Sequence, residues 1–347
     1  MKASDYIMDF IAELGVTEVF CVTGGGAMHL NDSLGRSKRL TGVFMLHEQG
    51  AAIAAEAYAR IREGFGVCLV TSGPGGTNAL TALAGAYMDS IPVIFISGQA
   101  KRADLVGRQK IRQFGIQEVD IISMARPYAK YAVQIQEEEE IRCSLEKAAA
   151  VAMDGRPGPV WIDIPLDIQA ADINPDRQKA FSMPEPLERS VNNQDISKLI
   201  MLWNQAKRPV LIIGNGIRLS HAVESMRELM EELKVPVLTS WNGVDLVEEE
   251  FPFYFGRPGA VGHRSANLIQ QSADFVLSIG TRLSLLNSGY HFEGFLKNAV
   301  HVMVDIDPYE MEKKSLHPDL KIVSDAQIFV RAVLARIEEF KNRDNSD

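Results

Sequence analysis

The sequence predicts an α/β protein made of two doubly wound parallel-sheet domains joined by a linker. Two observations support this fold class. Short apolar runs alternate with helical stretches along most of the 347 residues, and a proline-rich interruption divides the alternation into two parts. Runs that are apolar on both faces are typical of parallel strands, because helices cover both sides of such a sheet. The length fits two to three domains of ordinary size.

The first domain is expected over residues 1–170. Its strands are predicted at Glu18–Val22, Val43–Leu46, Val67–Val70, Val93–Ser97 and Val160–Ile164. Its helices are predicted at Gln49–Arg62, Thr77–Met88 and Glu137–Met153. Glycine or proline residues bound most of these elements. The four glutamates at 137–140 suit the positive N-terminal end of the last helix, as a solvated helix start.

A linker and a second domain are expected after residue 170. Residues 171–190 contain three prolines, several charges and little periodicity, which favours a linker. The alternation then resumes over 191–347. Strands are predicted at Val210–Ile213, Val237–Thr239, Phe275–Ile279 and Val300–Val304. Helices are predicted at Asp195–Gln205, Ala222–Leu233 and Ala326–Phe340.

Composition and charge argue against several classes of protein. Hydrophobic residues make up 46% of the chain and the net charge is −9, so a basic surface for nucleic acid is not expected. The apolar runs are too short to span a membrane, and Asp5 and Asp9 argue against a signal peptide. Three cysteines cannot form a disulfide framework. We therefore expect a cytoplasmic protein that binds neither nucleic acid nor a membrane.

Three segments follow predicted strands and should meet at the carboxyl edge of the first sheet, where open α/β sheets bind ligands. Two of them, Thr23–Gly26 and Ser72–Asn78, are rich in glycine. Glycine there allows a ligand to approach the backbone closely, although such turns also serve packing alone. The second turn leads into a helix N-terminus and could hold an anion, but it lacks the ending of a P-loop.

The third segment, His47–Gln49, contains the strongest catalytic candidate. Glu48 follows an apolar strand and precedes an alanine-rich helix, so its carboxyl group should be poorly solvated and able to share a proton with a bound base. A helix cap or an ion pair is the alternative role. The sequence contains none of the common metal or nucleophile motifs, such as HExxH, CxxC or GxSxG.

Together, five motifs resemble the thiamine-diphosphate-dependent enzymes of the acetolactate synthase type. They are Thr23–Gly26, Leu46–Ala51, Thr71–Asn78, Tyr87–Pro92 and Gly155–Pro159. The resemblance implies that residues 1–170 form the pyrimidine-binding domain of that family. It also implies that residues 191–347 form the family's central α/β domain.

The resemblance also implies roles for individual residues. Glu48 would be the glutamate that hydrogen-bonds N1′ of the cofactor's aminopyrimidine. Pro74 and Asn78 would line the pyrimidine pocket. Gln117 would face the substrate intermediate, although the residues before it depart from the family pattern. The glycine turn matches the backbone beside the reacting carbon of the cofactor, and its residues are Gly24, Gly25 and Gly26.

Two departures from the family pattern affect the cofactors. The family binds Mg²⁺ and the cofactor diphosphate through a Gly-Asp-Gly…Asn motif in a third domain, and this motif is absent here. We therefore expect no metal ligands on this chain, which would be part of a longer enzyme or half of a split one, inactive alone. In some relatives the central domain binds FAD. Arg282 matches one FAD contact but lacks the usual Asp-Asp-Arg after it, so FAD and an empty spacer domain remain alternatives.

The leading functional hypothesis is decarboxylation of a 2-keto acid such as pyruvate, with acetaldehyde-level acyl transfer, in a homodimer or homotetramer. One alternative is a carboligase or decarboxylase with another acceptor, such as a nucleotide-linked keto-sugar. Five cations near Gln117 could meet an anionic acceptor, although a solvated loop explains them equally well: Lys101, Arg102, Arg108, Lys110 and Arg112. A non-catalytic nucleotide-binding or regulatory module is the alternative of another class, and Glu48 argues against it.

Overall fold

The computed structural model describes residues 1–107, 109–182 and 191–341. The chain divides into two compact units, Met1–Pro186 and Leu187–Asp347. Each unit holds one parallel β-sheet whose strands alternate with helices. The predicted fold class, two doubly wound α/β domains, is confirmed. No helix in the described ranges combines the length and apolar character needed to cross a bilayer.

The first unit is built on a six-stranded sheet. Its strands are β1 Glu18–Cys21, β2 Thr41–Phe44, β3 Gly66–Val70, β4 Val93–Gln99, β5 Tyr131–Gln134 and β6 Val160–Pro165. Its helices are α1 Ala3–Glu13, α2 Met28–Arg36, α3 Glu48–Arg62, α4 Pro74–Asp89, α5 Ile121–Ala125, α6 Ile141–Met153 and α7 Leu166–Ala170. The strand order is β2-β1-β3-β4-β6-β5. The order therefore reverses between β1 and β3, which creates a crevice at their carboxyl ends.

The second unit is built on a five-stranded sheet. Its strands are β7 Pro209–Ile213, β8 Val237–Thr239, β9 Phe275–Ile279, β10 Val300–Asp305 and β11 Leu320–Val323. Its helices are α8 Asn193–Gln205, α9 Gly216–Leu219, α10 Val223–Leu233, α11 Arg264–Ser272, α12 Leu285–Ser288 and α13 Ala326–Leu334. The strand order is β11-β10-β9-β7-β8. Here the order reverses between β7 and β9.

The second predicted strand differs from the observed one. It was expected at Val43–Leu46, whereas β2 spans Thr41–Phe44. Strand β2 is an edge strand that pairs only with β1, and the last residue pair is Cys21 with Phe44. Because β1 ends there, β2 ends too, and the side chain of Leu46 is fully exposed. Three residues therefore separate the end of the strand from Glu48.

Two predicted helices are shorter than expected. The helix predicted from Glu137 begins as a 3₁₀ turn at Glu138–Glu140, and the α-helix starts at Ile141. The helix predicted to reach Phe340 ends at Leu334, and a 3₁₀ turn follows at Ile337–Glu339. This change of direction lets the ring of Phe340 pack edge-on against Trp203, with 5.7 Å between ring centroids.

The sequence prediction did not include several short or edge elements, among them β5 and β11. Strand β5 is half-buried along its whole length, and β11 carries the exposed Lys321. Both are edge strands. A charge or partial exposure is a common feature of edge strands and weakens the apolar signal by which a strand is recognised.

Part of the expected linker packs on the first unit. Asp172 forms a β-bridge with Lys2, and the buried Ile173 donates its N–H to the Met1 carbonyl at 2.9 Å. The side chain of Ile173 belongs to the same apolar core as helix α1. Residues 183–190, the remainder of that segment, lie outside the described residues.

Candidate functional site

Glu48 is the first residue of helix α3, at the carboxyl end of strand β2. The preceding residue, His47, caps the helix, because its Nδ1 accepts the N–H of Gln49 at 3.1 Å. The positive end of the helix dipole therefore lies beside the Glu48 carboxyl group. Glu48 is half-buried, so it is less enclosed than the sequence suggested. The cap role expected as an alternative for Glu48 belongs to His47.

Close packing of α3 on α4 brings the Glu48 carboxyl group to Asn78. The amide Nδ2 of Asn78 donates to Oε2 of Glu48 at 2.9 Å. Both helices carry small buried residues, which allow their backbones to approach closely: Ala51, Ala52, Ala55, Gly75, Gly76, Ala79 and Ala82. The other carboxyl oxygen, Oε1, has no hydrogen-bond partner among the described residues. Glu48 thus has one oxygen fixed and one free for a ligand.

The turn from β3 into α4 places Pro74 beside this pair. Gly73 has a φ of +58°, and exposed Pro74 is the first residue of the helix. A Cβ at Gly73 would overlap the carbonyl of Gln117, so only glycine allows the two backbones to meet there. A Cβ at Gly75 would lie 3.7 Å from Oε1 of Glu48. The glycines at 73 and 75 therefore let the Gln117 backbone and the Thr71 side chain approach the turn beside the carboxyl group.

Thr71 connects the two glycine-rich turns, a role that the sequence did not reveal. Its Oγ1 accepts the N–H of Gly26 at 3.0 Å. A Cβ at Gly24 would lie 2.5 Å from the Thr71 side chain, and one at Gly75 would lie 2.8 Å from it. Gly25, by contrast, has no neighbouring atom within 4 Å of a Cβ position. The turn is therefore packed tightly at Gly24 and open at Gly25.

Gln169 and Gly98 also fix the position of the Gly24–Gly26 turn. The buried amide of Gln169 donates to the carbonyl of Gly26 at 2.8 Å. A Cβ at Gly98 of β4 would overlap that same carbonyl group. Gly26 is thus bonded through both its N–H and its carbonyl, and its backbone position is set by the surrounding residues.

Gln117 lies in a loop that its neighbour Glu118 organises. The Glu118 carboxylate accepts the backbone N–H groups of Val106, Phe114 and Gly115 at 2.6, 3.2 and 3.0 Å. Gln117 itself has a φ of +55° and an exposed side chain. The structure brings its backbone against Gly73, but it shows no hydrogen bond between the Gln117 side chain and the described residues.

Of the basic residues near this loop, Arg102 is held in ion pairs, whereas Lys101, Lys110 and Arg112 have exposed side chains. The guanidinium group of Arg102 donates to Asp167 and Glu138, each at 2.7 Å, and to the Gln136 carbonyl at 2.7 Å. These ion pairs raise the pKa of Arg102. Arg108 lies outside the described residues. Arg102 therefore stabilises the start of helix α6 and is not available to bind an anionic acceptor substrate.

Cys68 and the acidic cluster at the start of α6 both have structural surroundings that account for them. Burial raises the pKa of Cys68 well above its ordinary value, and the charges of Cys21 and Glu48 add to this effect. Cys68 is therefore a neutral thiol. Among the described residues one acidic cluster has metal-ligand spacing, Glu137 to Glu139, and it is largely exposed at the start of α6. Two of its members are already paired with Arg102.

The second unit also carries glycine turns at its switch point, but they contact each other. The N–H of Gly216 donates to the carbonyl of Gly280 at 2.9 Å. A Cβ at Gly214 would lie 2.5 Å from that same carbonyl oxygen. Arg282, the FAD candidate, has an exposed side chain, and its carbonyl accepts Nζ of Lys313 at 2.7 Å. These glycines serve backbone packing.

Two family models match the chain. Residues 1–124 match the thiamine pyrophosphate enzyme N-terminal TPP binding domain, and residues 196–333 match the thiamine pyrophosphate enzyme central domain. The first matched range contains Glu48, Asn78 and Gln117.

Similar proteins extend over nearly the whole chain. The isozyme 2 large subunit of acetolactate synthase from Escherichia coli K12 is 34% identical over 313 residues, 90% of this chain and 55% of that protein. A probable acetolactate synthase large subunit from Methanococcus aeolicus is 34% identical over 351 residues, 100% of this chain and 57% of that protein. The chain thus spans somewhat more than half the length of these relatives. It belongs to the thiamine pyrophosphate enzyme family, whose N-terminal TPP binding and central domains it carries.

Proposed function

We propose that this chain forms the pyrimidine-binding part of a thiamine-diphosphate site in an acetolactate synthase-type enzyme. The reaction is decarboxylation of a 2-keto acid such as pyruvate and transfer of the acyl group to an acceptor. One observation carries the proposal: the half-buried Glu48 has one oxygen bonded to Asn78 and one oxygen free. On this proposal residues 1–170 are the pyrimidine-binding domain, 171–190 are a linker, and 191–347 are the central domain.

The residues around Glu48 fit an aminopyrimidine. The ring nitrogen needs a carboxyl group, and no side chain at Gly75 stands beside Oε1 of Glu48. The open position at Gly25 adds free volume at the neighbouring turn. Pro74 presents an apolar ring near the helix start. A module that needed only the fold would have no use for this carboxyl group.

Each side chain then has a defined task. When bound, thiamine diphosphate supplies a nucleophilic thiazolium carbon for attack on the 2-keto acid. Glu48 holds at Oε1 the proton that it shares with the ring nitrogen. Asn78 donates to Oε2 and so orients the carboxyl group, while the Gly24–Gly26 backbone, fixed by Thr71, borders the reacting atoms. Gln117, placed against Gly73, faces the substrate.

Mg²⁺ and the cofactor diphosphate do not fit the described residues. The cluster at Glu137–Glu139 is largely exposed and paired with Arg102, and the glycine turn at Gly73 has no basic side chain. We therefore assign these groups to a further domain, in the same polypeptide or on another subunit. Without that domain the chain should bind the cofactor weakly, because the metal and the diphosphate provide much of the charge-based affinity.

Self-association of this edge follows from its exposed apolar side chains. Leu46 is fully exposed, Ile116 is 88% exposed, and Phe44 and Phe114 are 62% and 58% exposed. Such a concentration beside a site is typical of an interface. A homodimer or homotetramer that covers it would exclude water from Glu48. Light scattering that shows a strict monomer at high micromolar concentration would contradict this part of the proposal.

The remaining proposals concern FAD, the acceptor and the location. FAD would bind the central unit near Arg282, whose exposed guanidinium group could contact it, and visible flavin absorbance of the purified protein tests this. An anionic acceptor such as a nucleotide-linked keto-sugar would have to be bound by the exposed Lys101, Lys110 and Arg112, since Arg102 is engaged in ion pairs. A cytoplasmic location accords with the free, largely buried cysteines.

The test uses the enzyme with its diphosphate-binding domain present. Acetolactate formation from pyruvate should require thiamine diphosphate and Mg²⁺, and Glu48→Gln should reduce it roughly 10²–10⁴-fold. Glu56→Gln is a matched control on the same helix, because Glu56 only forms an ion pair with Arg60. Full activity of the Glu48→Gln enzyme, or equal losses in both variants, would overturn the proposal.

A further inference from the structure

Asp163 is a fully buried carboxylate with three side-chain donors around it. Ser97 donates its hydroxyl to Oδ1 at 2.6 Å, while Gln134 and Gln99 donate to Oδ2 at 2.8 and 3.1 Å. Ser97 in turn accepts the indole N–H of Trp161 at 2.9 Å. Strands β4, β5 and β6 thus converge on one charge inside the sheet. None of the roles assigned above uses it.

Gln99 connects this carboxylate to the loop that carries Gln117. Its Nε2 donates one hydrogen to Asp163 and the other to the carbonyl of Val119, the latter at 2.9 Å. Its Oε1 accepts the N–H of Ala100 at 3.1 Å. The amide cannot be reversed without placing an oxygen against both acceptors. Its orientation is therefore fixed, and Val119 is held where Asp163 requires it.

The position of Gln117 depends on this contact. Val119 is two residues from Gln117, and the intervening Glu118 binds the loop amides of Phe114 and Gly115. On the other side the Gln117 carbonyl lies against Gly73. The loop is exposed and lacks regular secondary structure over 109–119. Few hydrogen bonds therefore hold this loop to the sheet. Among those between described residues, the bond from Gln99 to Val119 connects the loop to the buried Asp163 carboxylate.

We propose that Asp163 is a positioning residue for Gln117, acting through Gln99 on the carbonyl of Val119. The chemical task of Gln117 rests on the proposed function, but the positioning does not. The carboxylate suits this pocket because it accepts at both oxygens, whereas the Ser97 hydroxyl and the two glutamine amides all donate toward it. Asparagine has nearly the same shape, but it carries no charge and only one of its two terminal atoms accepts, so at least one of the three hydrogen bonds must be reversed or lost.

The electrostatics of the pocket show how closely this group is enclosed. Burial raises the pKa of Asp163 to about 6, and the three hydrogen bonds from Gln134, Ser97 and Gln99 oppose that rise. The negative charge of Asp120, which precedes helix α5, raises the pKa of Asp163 further. A buried charge is costly and is tolerated when every partner is a donor, as here.

The test is amide hydrogen exchange of the full chain, without any cofactor. In Asp163→Asn we expect exchange of residues 113–121 to rise about tenfold or more, with the second-unit amides unchanged. Ile162→Val is the matched control on the same strand, because its side chain belongs to the apolar core on the opposite face. The control should lower stability without a selective effect on residues 113–121. Unchanged exchange of this segment in a folded Asp163→Asn protein would overturn the proposal.

A second variant distinguishes the effect of the Asp163–Gln99–Val119 hydrogen bonds from general damage to the core. Gln99→Met removes the donor to Val119 and leaves Asp163 with two donors, so it should loosen the same segment even if Asp163→Asn folds poorly. The double variant should exchange no faster in this segment than Gln99→Met alone. Additive effects would contradict action through Gln99. In the active enzyme, Gln99→Met should lower kcat while exchange of the cofactor's C2 proton stays unchanged, since that readout depends on Glu48.

Discussion

The two units share a doubly wound parallel-sheet architecture, yet different contacts fill the switch points of their sheets. In the first unit the turns after β1 and β3 meet through a side chain, because Thr71 Oγ1 accepts the N–H of Gly26. In the second unit the turns after β7 and β9 meet backbone to backbone, since Gly216 donates to the Gly280 carbonyl. Both turns are rich in glycine, and the sequence alone makes them look equivalent.

The difference shows what a glycine turn at a strand end does and does not indicate. In the second unit the glycines are required because another backbone occupies the space where a Cβ would lie. In the first unit some glycines play this part, but Gly25 faces open space and Gly75 lies beside the Glu48 carboxyl group. Ligand chemistry therefore follows from the polar side chain at the edge, and the glycine content does not reveal it.

Of the variants considered, the largest effect on stability is expected at Gly98, where a Cβ would lie 2.0 Å from the Gly26 carbonyl oxygen. In Gly98→Ala the new Cβ would overlap the Gly26 carbonyl, which Gln169 holds in place, so the first unit should lose about 3 kcal/mol of unfolding free energy. Urea unfolding measures this loss. Gly85→Ala in helix α4 is the control, because its Cβ would meet only the flexible Glu56 side chain and should stabilise the helix by about 0.5–1 kcal/mol. A normal stability for Gly98→Ala would contradict the assignment of this close contact.

Two buried groups, one in each unit, should contribute to the acid response in opposite directions. Burial lowers the pKa of His301 to about 4, so the neutral ring is favoured in the fold and the second unit should lose about 3 kcal/mol as the pH falls from 6.5 to 4. Burial raises the pKa of Asp163 to about 6, so its contribution stabilises the first unit as the pH falls from 6 toward 3.8. Hydrogen exchange resolved by segment distinguishes the units. His301→Gln should remove most of the acid sensitivity of the second unit, and an unaltered pH profile would contradict the assignment.

The smallest effect on stability is expected at Gly25, which contrasts with Gly98. In Gly25→Ala the added methyl group meets no atom within 4 Å, so the free energy of unfolding should change by no more than about 0.5 kcal/mol. The same methyl group would project toward the volume assigned to the cofactor, so weaker cofactor binding is expected in the complete enzyme. A large loss of stability would show that Gly25 serves packing, like Gly214.

The sequence predicts those features that depend on local pattern. The apolar alternation predicts the doubly wound class, and an acid between a strand and an alanine-rich helix marks Glu48. The end of β2 at Phe44 was not predictable, because it is set by the length of its neighbour β1. The Asp163 carboxylate accepts hydrogen bonds from Ser97 and Gln99, which lie 66 and 64 positions away in the chain. Arg102 pairs with Asp167 at a separation of 65. Such contacts exist only once the sheet has formed, and no local sequence pattern predicts them.

The central claim is that the Glu48 carboxyl group shares a proton with the bound aminopyrimidine. The most direct test is the rate at which the cofactor's C2 proton exchanges with deuterium in the complete enzyme, because this step precedes any substrate chemistry. In Glu48→Gln, at saturating cofactor, the rate should fall roughly 10²–10⁴-fold while the fold and the Glu56→Gln control remain normal. An exchange rate equal to that of the unaltered enzyme would show that Glu48 merely lines the pocket.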